Sequence, residues 1–271
     1  MTAGSVRLDP TRCSGAEEAL AGATDVAVGA RTVYVLSGGR ARALTFTVTP
    51  DTCTLAVDDA RTAQLQLAGS TLTDLAATAD DVVAGAGTDG GGLVDATGAV
   101  TRCPPLRDRV AIAGSTGTLL TWQAGVGVQS VRLQSGRCSA PNDVELAGRL
   151  LDAVGDGDRR YLVGAVLDGA VKVGKFDTDR LEWTQGGAAD AADGYQGIDG
   201  LGRCGQSICV LDARKAMLHV LDDNGGHLAA TAAPALGATA EVARLTAAAD
   251  GSVWLLTRDG MRTGLVRVVV A

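Results

Sequence analysis

Apolar positions in this chain recur with a period of two, in short runs cut by glycine-containing turns. The stretch ATDVAVGARTVYVLSGGRARALTFTVTPDTC, residues 23–53, shows the pattern most fully. Valine, threonine and aromatic residues alternate there with small or polar ones, the mark of half-buried strands. The pattern predicts strands over Thr24–Val28, Thr32–Leu36 and Leu44–Val48, then a Pro50-Asp51 turn into a fourth strand near Cys53.

The same four-part phrase returns along the chain. Its first strand reads Thr24-Asp25-Val26-Ala27, Thr73-Asp74-Leu75-Ala76, Val110-Ala111-Ile112-Ala113, Leu151-Asp152-Ala153-Val154, Ile198-Asp199-Gly200-Leu201 and Val242-Ala243-Arg244-Leu245. Second strands follow, such as Val33-Tyr34-Val35, Tyr161-Leu162-Val163 and Val253-Trp254-Leu255, and third strands include Val128–Leu133, Val171–Phe176 and Met217–Leu221. Turns such as Asp177-Thr178-Asp179 close the sets, and no helix-period segment of useful length interrupts them. Repeats of about forty to fifty residues mean solenoids, propellers or arrays. Six four-stranded antiparallel sheets set radially make a β-propeller, which leaves only short, protected edges. The last unit stops after a third strand, Leu265–Val270, so Val6–Leu20 is expected to supply its fourth and close the ring. The expected fold is therefore all-β: a single six-bladed propeller domain over residues 1–271. The competing arrangement is two β-sandwiches, but no linker divides the chain.

Composition narrows the function. Apolar residues make up 46% of the chain, enough for a core without metal or disulfide staples. Aromatics are only 3%, so the sheets must pack through small side chains. A net charge of −7 and the lack of a basic stripe argue against nucleic acid as a partner. No apolar run is long enough to span a membrane as a helix, and the N-terminal MTAGSVRLDP has neither a basic start nor an apolar core of a signal peptide. A mature secreted or periplasmic chain fits six cysteines and only three lysines; a cytoplasmic one is the alternative. The Arg, Ala and Gly bias points to a high-GC bacterial source.

With blades reading DVAV…VYVL…LTFTV…D, the chain resembles six-bladed propellers of the loosely repeated bacterial kind. It lacks a WD dipeptide, a kelch di-glycine pattern and a pyrroloquinoline-quinone signature. The resemblance implies ligand or partner binding on one face, and in some members hydrolase or lactonase activity around a central metal.

The most suggestive chemistry is a repeated aspartate. Asp25, Asp74, Asp152 and Asp199 stand at the head of the inner strand in four units, so four carboxylates are expected to converge at one mouth of the channel. Gathered like charges raise one another's pKa or recruit a cation, and an all-oxygen set suits Ca²⁺ or Mg²⁺. The alternative is that each carboxylate accepts backbone amides of a neighbouring loop. Arg244 follows the equivalent place in the last unit, and Glu241 is the one nearby acid placed to join a ligand set.

Other motifs offer less. Cys13, Cys53, Cys103 and Cys138 each follow the turn into a fourth strand. Placed in different blades, they are expected to lie beyond the ~7 Å Cα separation that a disulfide spans. They then read as small apolar residues and four free thiols, with Cys204 and Cys209 bridged across a hairpin. His219 and His227 are the only histidines, one in a strand and one past a turn, with no nucleophile elbow to serve. GAVKVGK, residues 169–175, approximates a phosphate loop, but Phe176 replaces the required Ser or Thr and the alternation makes it a strand. Asp152, Asp156 and Asp158 lack the closing glutamate of a calcium loop and read as a solvated turn. The reading is a monomeric, non-enzymatic binding or scaffolding module that presents a propeller face to a protein or small ligand. The runner-up is a metal-dependent propeller hydrolase or lactonase built on the aspartate ring.

Overall fold

A computed structural model describes residues 6–65, 71–87, 89–114, 117–134, 136–146, 148–157, 160–177, 183–184, 195–236, 241–260 and 262–271. Asp158 and the Thr178-Asp179 turn lie outside them. The described strands form three four-stranded sheets, one of five strands and one of eight. All are antiparallel except at one junction inside the eight-stranded sheet.

The first strands are Ala23–Val28, Leu72–Ala77, Arg109–Ile112, Arg149–Gly155, Gly200–Cys204 and Glu241–Ala247. Each packs beside the next in that order, and the last returns to the first. This closed cycle around an axis makes the chain an all-β propeller; two packed sandwiches contain no such cycle. Close approach at the axis explains the small residues there. A Cβ at Gly200 would lie 2.6 Å from the Leu245 backbone nitrogen, and one at Gly155 would run into the Ile112 carbonyl.

The core lies between neighbouring sheets, and this explains the nearly continuous apolar second strands. Within Thr32–Ser37, Val33 and Val35 pack towards Trp254 and Leu256. Tyr34 and Leu36 point the other way, into a cluster with Leu72, Leu75 and Val83. A strand buried on both faces has no polar side to show.

The ring closes as the hydrophobic pattern predicts, over a shorter span. Leu8–Ser14 pairs antiparallel with Arg262–Val270, from Leu8 opposite Val270 to Arg12 opposite Val266, while Glu17–Leu20 turns into a short helix. A second helix, Asp59–Gln64, follows the first unit; Asp58 caps it by accepting the Arg61 N–H at 2.9 Å. GAVKVGK lies in the strand Ala170–Asp177.

The cysteine expectation fails. All six are bridged, as Cys13–Cys53, Cys103–Cys138 and Cys204–Cys209, with Cα separations of 4.4, 5.0 and 5.8 Å. Separation by blade was the wrong criterion, because outer strands of adjacent blades meet at the rim. Cys13 and Ser14 pair in parallel with Cys53 and Thr54, and the outer strand carrying Cys103 packs against Arg137–Cys138. Cys204 and Cys209 do span the hairpin between first and second strands, as expected.

Candidate functional site: the channel carboxylates and the two mouths

Four inner strands share one irregularity. Their pairing with the second strand shifts by one residue between Ala23 and Asp25, Leu72 and Asp74, Leu150 and Asp152, and Val242 and Arg244. Each is a β-bulge, a device that re-aims a side chain beside a site. In the first two units the extra residue is threonine. Thr24 Oγ1 donates to the Leu36 carbonyl and Thr73 Oγ1 to that of Ala86, both at 3.3 Å. Behind the bulge, Asp25, Asp74 and Asp152 line one small axial cavity, about 60 Å³, with Arg109 and Arg244.

The carboxylates tie one inner strand to the next. Asp25 Oδ2 accepts the Leu75 N–H and Asp74 Oδ2 accepts the Val110 N–H, each at 2.8 Å. Arg109 adds a 3.0 Å bond to Asp74 Oδ1. Arg244 faces Asp25 Oδ1 at 3.6 Å, an ion pair rather than a hydrogen bond, and its Nε is buried without a hydrogen-bond partner. Burial, then the Asp25 charge, holds the Asp74 carboxyl well above the ordinary range, against the pull of Arg109. Burial likewise pushes Asp152 up to about 6, although Arg109 and Arg244 oppose it. The cavity therefore holds three acids against two guanidinium groups, with Asp74 and Asp152 both pushed towards the protonated form.

Asp199 stands apart from the other three. The fifth inner strand begins only at Gly200 and has no bulge. Asp199 instead bonds within its own sheet, donating its N–H to the Leu211 carbonyl at 3.0 Å and accepting the Ala213 N–H at 3.2 Å. It lines a groove of about 480 Å³ on the same face of the ring, with Arg149, Arg214, Gln123 and Gln196. Glu241 is exposed at the start of its strand. Among the described residues no three His, Cys, Asp or Glu side chains come together to hold a metal ion.

The sequence reading passed over Arg109. It sits one residue before the Val110-Ala111-Ile112-Ala113 phrase, and a cation at the head of an inner strand is the signal that it faces the carboxylate of the unit before. At the other mouth the channel widens to about 490 Å³ between the hairpins that join first and second strands. Asp156, in the GDGD turn, is there held by Arg203 through Nε at 2.8 Å and Nη2 at 3.0 Å. That carboxylate belongs to an ion pair between sheets, not to a calcium loop. Among the described residues, no helix is long and apolar enough to cross a membrane.

No family model matches the sequence, and no curated protein matches it. Among solved structures, the chain is similar to the crystal structure of the WD40 β-propeller domain of Doa1, with a TM-score of 0.56 and 11% identity. That match covers 96% of this chain and 95% of that one. At such low identity the likeness carries the fold alone: an all-β propeller.

Proposed function

We propose that this chain is a non-enzymatic binding or scaffolding module, a single propeller domain over residues 1–271 that works outside the cytoplasm. The eight-stranded sheet is read as two blades that meet where Leu8–Ser14 joins Cys53–Val57, giving a ring of six. One observation carries the functional reading: two of the three carboxylates of the axial cavity are engaged with the protein itself. Asp25 and Asp74 accept main-chain amides of the next inner strand and sit against Arg244 and Arg109. Recognition then falls to a face of the ring. The groove bordered by Arg149, Arg214, Gln123 and Gln196 offers polar, partly cationic contacts to a protein or small ligand. Three disulfides favour an oxidising compartment, secreted or periplasmic. Among the described residues, the exposed large apolar side chains Val57, Val100, Val126 and Leu228 belong to four different units, in keeping with a monomer.

A metal-dependent hydrolase or lactonase is the second reading, favoured by Asp25, Asp74 and Asp152 lining one cavity. Titrating Ca²⁺ or Mg²⁺ while following the melting temperature separates the two. A ligand that binds only the native state raises stability with its concentration. The binding-module reading expects no saturable rise; a rise of several degrees that disappears in an Asp25→Asn, Asp74→Asn double variant would establish the metal site instead.

A further inference from the structure

His219 lies in the strand Met217–Leu221, and His227 opens the partner strand His227–Ala232. His219 stands opposite Ala230 and Val220 opposite Ala229, but the register then shifts and Leu221 pairs with His227. Leu228 is the extra residue, left 47% exposed. Without that bulge, His227 would fall on the opposite sheet face from His219, because side chains alternate along a strand. The bulge instead brings the only two histidines of the chain together, with His219 Nδ1 3.5 Å from His227 Nε2.

We infer that His219 and His227 form a binding site for a borderline divalent transition metal, Zn²⁺, Ni²⁺ or Cu²⁺. Imidazole suits these ions, whereas Ca²⁺ and Mg²⁺ take oxygen ligands. Zinc–nitrogen bonds of about 2.0–2.1 Å at a tetrahedral angle place two ligand nitrogens roughly 3.3–3.4 Å apart, close to the observed separation. The rings are inclined at 68° with centroids 5.7 Å apart, so they are not stacked. One ligand is rigid and the other accessible. His219 is only 7% exposed, with Tyr195 edge-on against it at 4.9 Å; His227 is exposed. His219 Nδ1 and His227 Nε2 are in hydrogen-bond contact, which a shared metal would replace. Among the described residues no third His, Cys, Asp or Glu completes the set.

The test uses the full, untagged chain, stripped of metal with a chelator and titrated with Zn²⁺. Side-chain ¹⁵N resonances of the two imidazoles report the result without ambiguity of assignment class, since there are no others. Both are expected to shift together and saturate at one metal per chain. His227→Asn, an exposed substitution that should leave folding intact, is expected to abolish saturation, while the Asp25→Asn, Asp74→Asn double variant leaves it unchanged. The inference is overturned if neither resonance moves, if His227 shifts without His219, or if saturable binding survives His227→Asn.

Discussion

The axis and the rim of this molecule are joined by different chemistry. At the axis the first strands converge, close enough for Asp25 and Asp74 to reach main-chain amides of the next unit. At the rim the sheets fan outward and side-chain hydrogen bonds of that length have less to work with. There two junctions are covalent, Cys13–Cys53 and Cys103–Cys138. Between the fourth and fifth units an ion pair serves, Lys175 of one meeting Asp223 of the next at 2.7 Å. A closed ring of small sheets thus uses each kind of tie at the radius where its reach fits the gap.

The largest effect is expected at the rim. Replacing Cys13 and Cys53 together with serine releases a 40-residue closure and the strand that completes the last unit. Chemical denaturation should show about 2–4 kcal/mol of lost stability. An unchanged midpoint would mean that the parallel ladder at Cys13 and Cys53 holds the closure unaided. Next comes the axis. Asp74→Ala strands the Val110 N–H and the Arg109 guanidinium, for about 1.5–3 kcal/mol, the range for hydrogen bonds to charged groups. A loss smaller than that of Asp199→Ala, whose carboxylate bonds only within its own sheet, would remove the distinction between inter-unit ties and local ones.

A pH effect sharpens the picture of the axis further. Asp152 has its native pKa pushed to about 6 from an ordinary 3.8, burial being the main cause. Between those values the native protein binds more protons than the unfolded chain. This residue's contribution therefore makes stability fall as pH rises from about 4 to 6, and then level off. The fall is at most about 3 kcal/mol, at roughly 1.4 kcal/mol per tenfold change in acid constant, and less because the residue keeps some contact with the channel. Asp152→Asn should lack this part of the pH dependence, read from denaturation midpoints between pH 4 and 7. Identical slopes for the two proteins would contradict a raised carboxyl pKa at that position.

The axis was far more legible in the sequence than the rim. Threonine-aspartate at the head of an inner strand repeats as Thr24-Asp25 and Thr73-Asp74, and hydrophobic alternation placed both on strands within a residue or two of their observed limits. What alternation cannot encode is the bulge. It carries no distinctive residue in the Leu151-Asp152 and Ala243-Arg244 units, yet it decides which side chain faces the channel. Asp199 misled for the same reason, its strand starting after it and running without a shift. Rim pairing depends on which outer strands touch. Cys13, Cys53, Cys103 and Cys138 fall in consecutive units, so Cys53 has two neighbours in reach by sequence, and only the three-dimensional arrangement selects Cys13. The Asp59–Gln64 helix is too short to show a period; its signals are the Asp58 cap and a buried Arg61 held by the carbonyls of Asp81 and Asp95. The histidine pair was invisible because the Leu228 bulge reverses the face that alternation assigns to His227.

The central claim is that channel carboxylates join adjacent inner strands through main-chain amides. Amide hydrogen exchange reads those bonds one at a time. In the wild-type protein the Leu75 and Val110 amides should be strongly protected, although both sit on the channel edge of their strands. Asp25→Ala should speed exchange at Leu75 and leave Val110 slow, and Asp74→Ala should do the reverse. If both amides keep their protection in both variants, or were never protected, the carboxylates do not tie the ring together and the account of the axis is wrong.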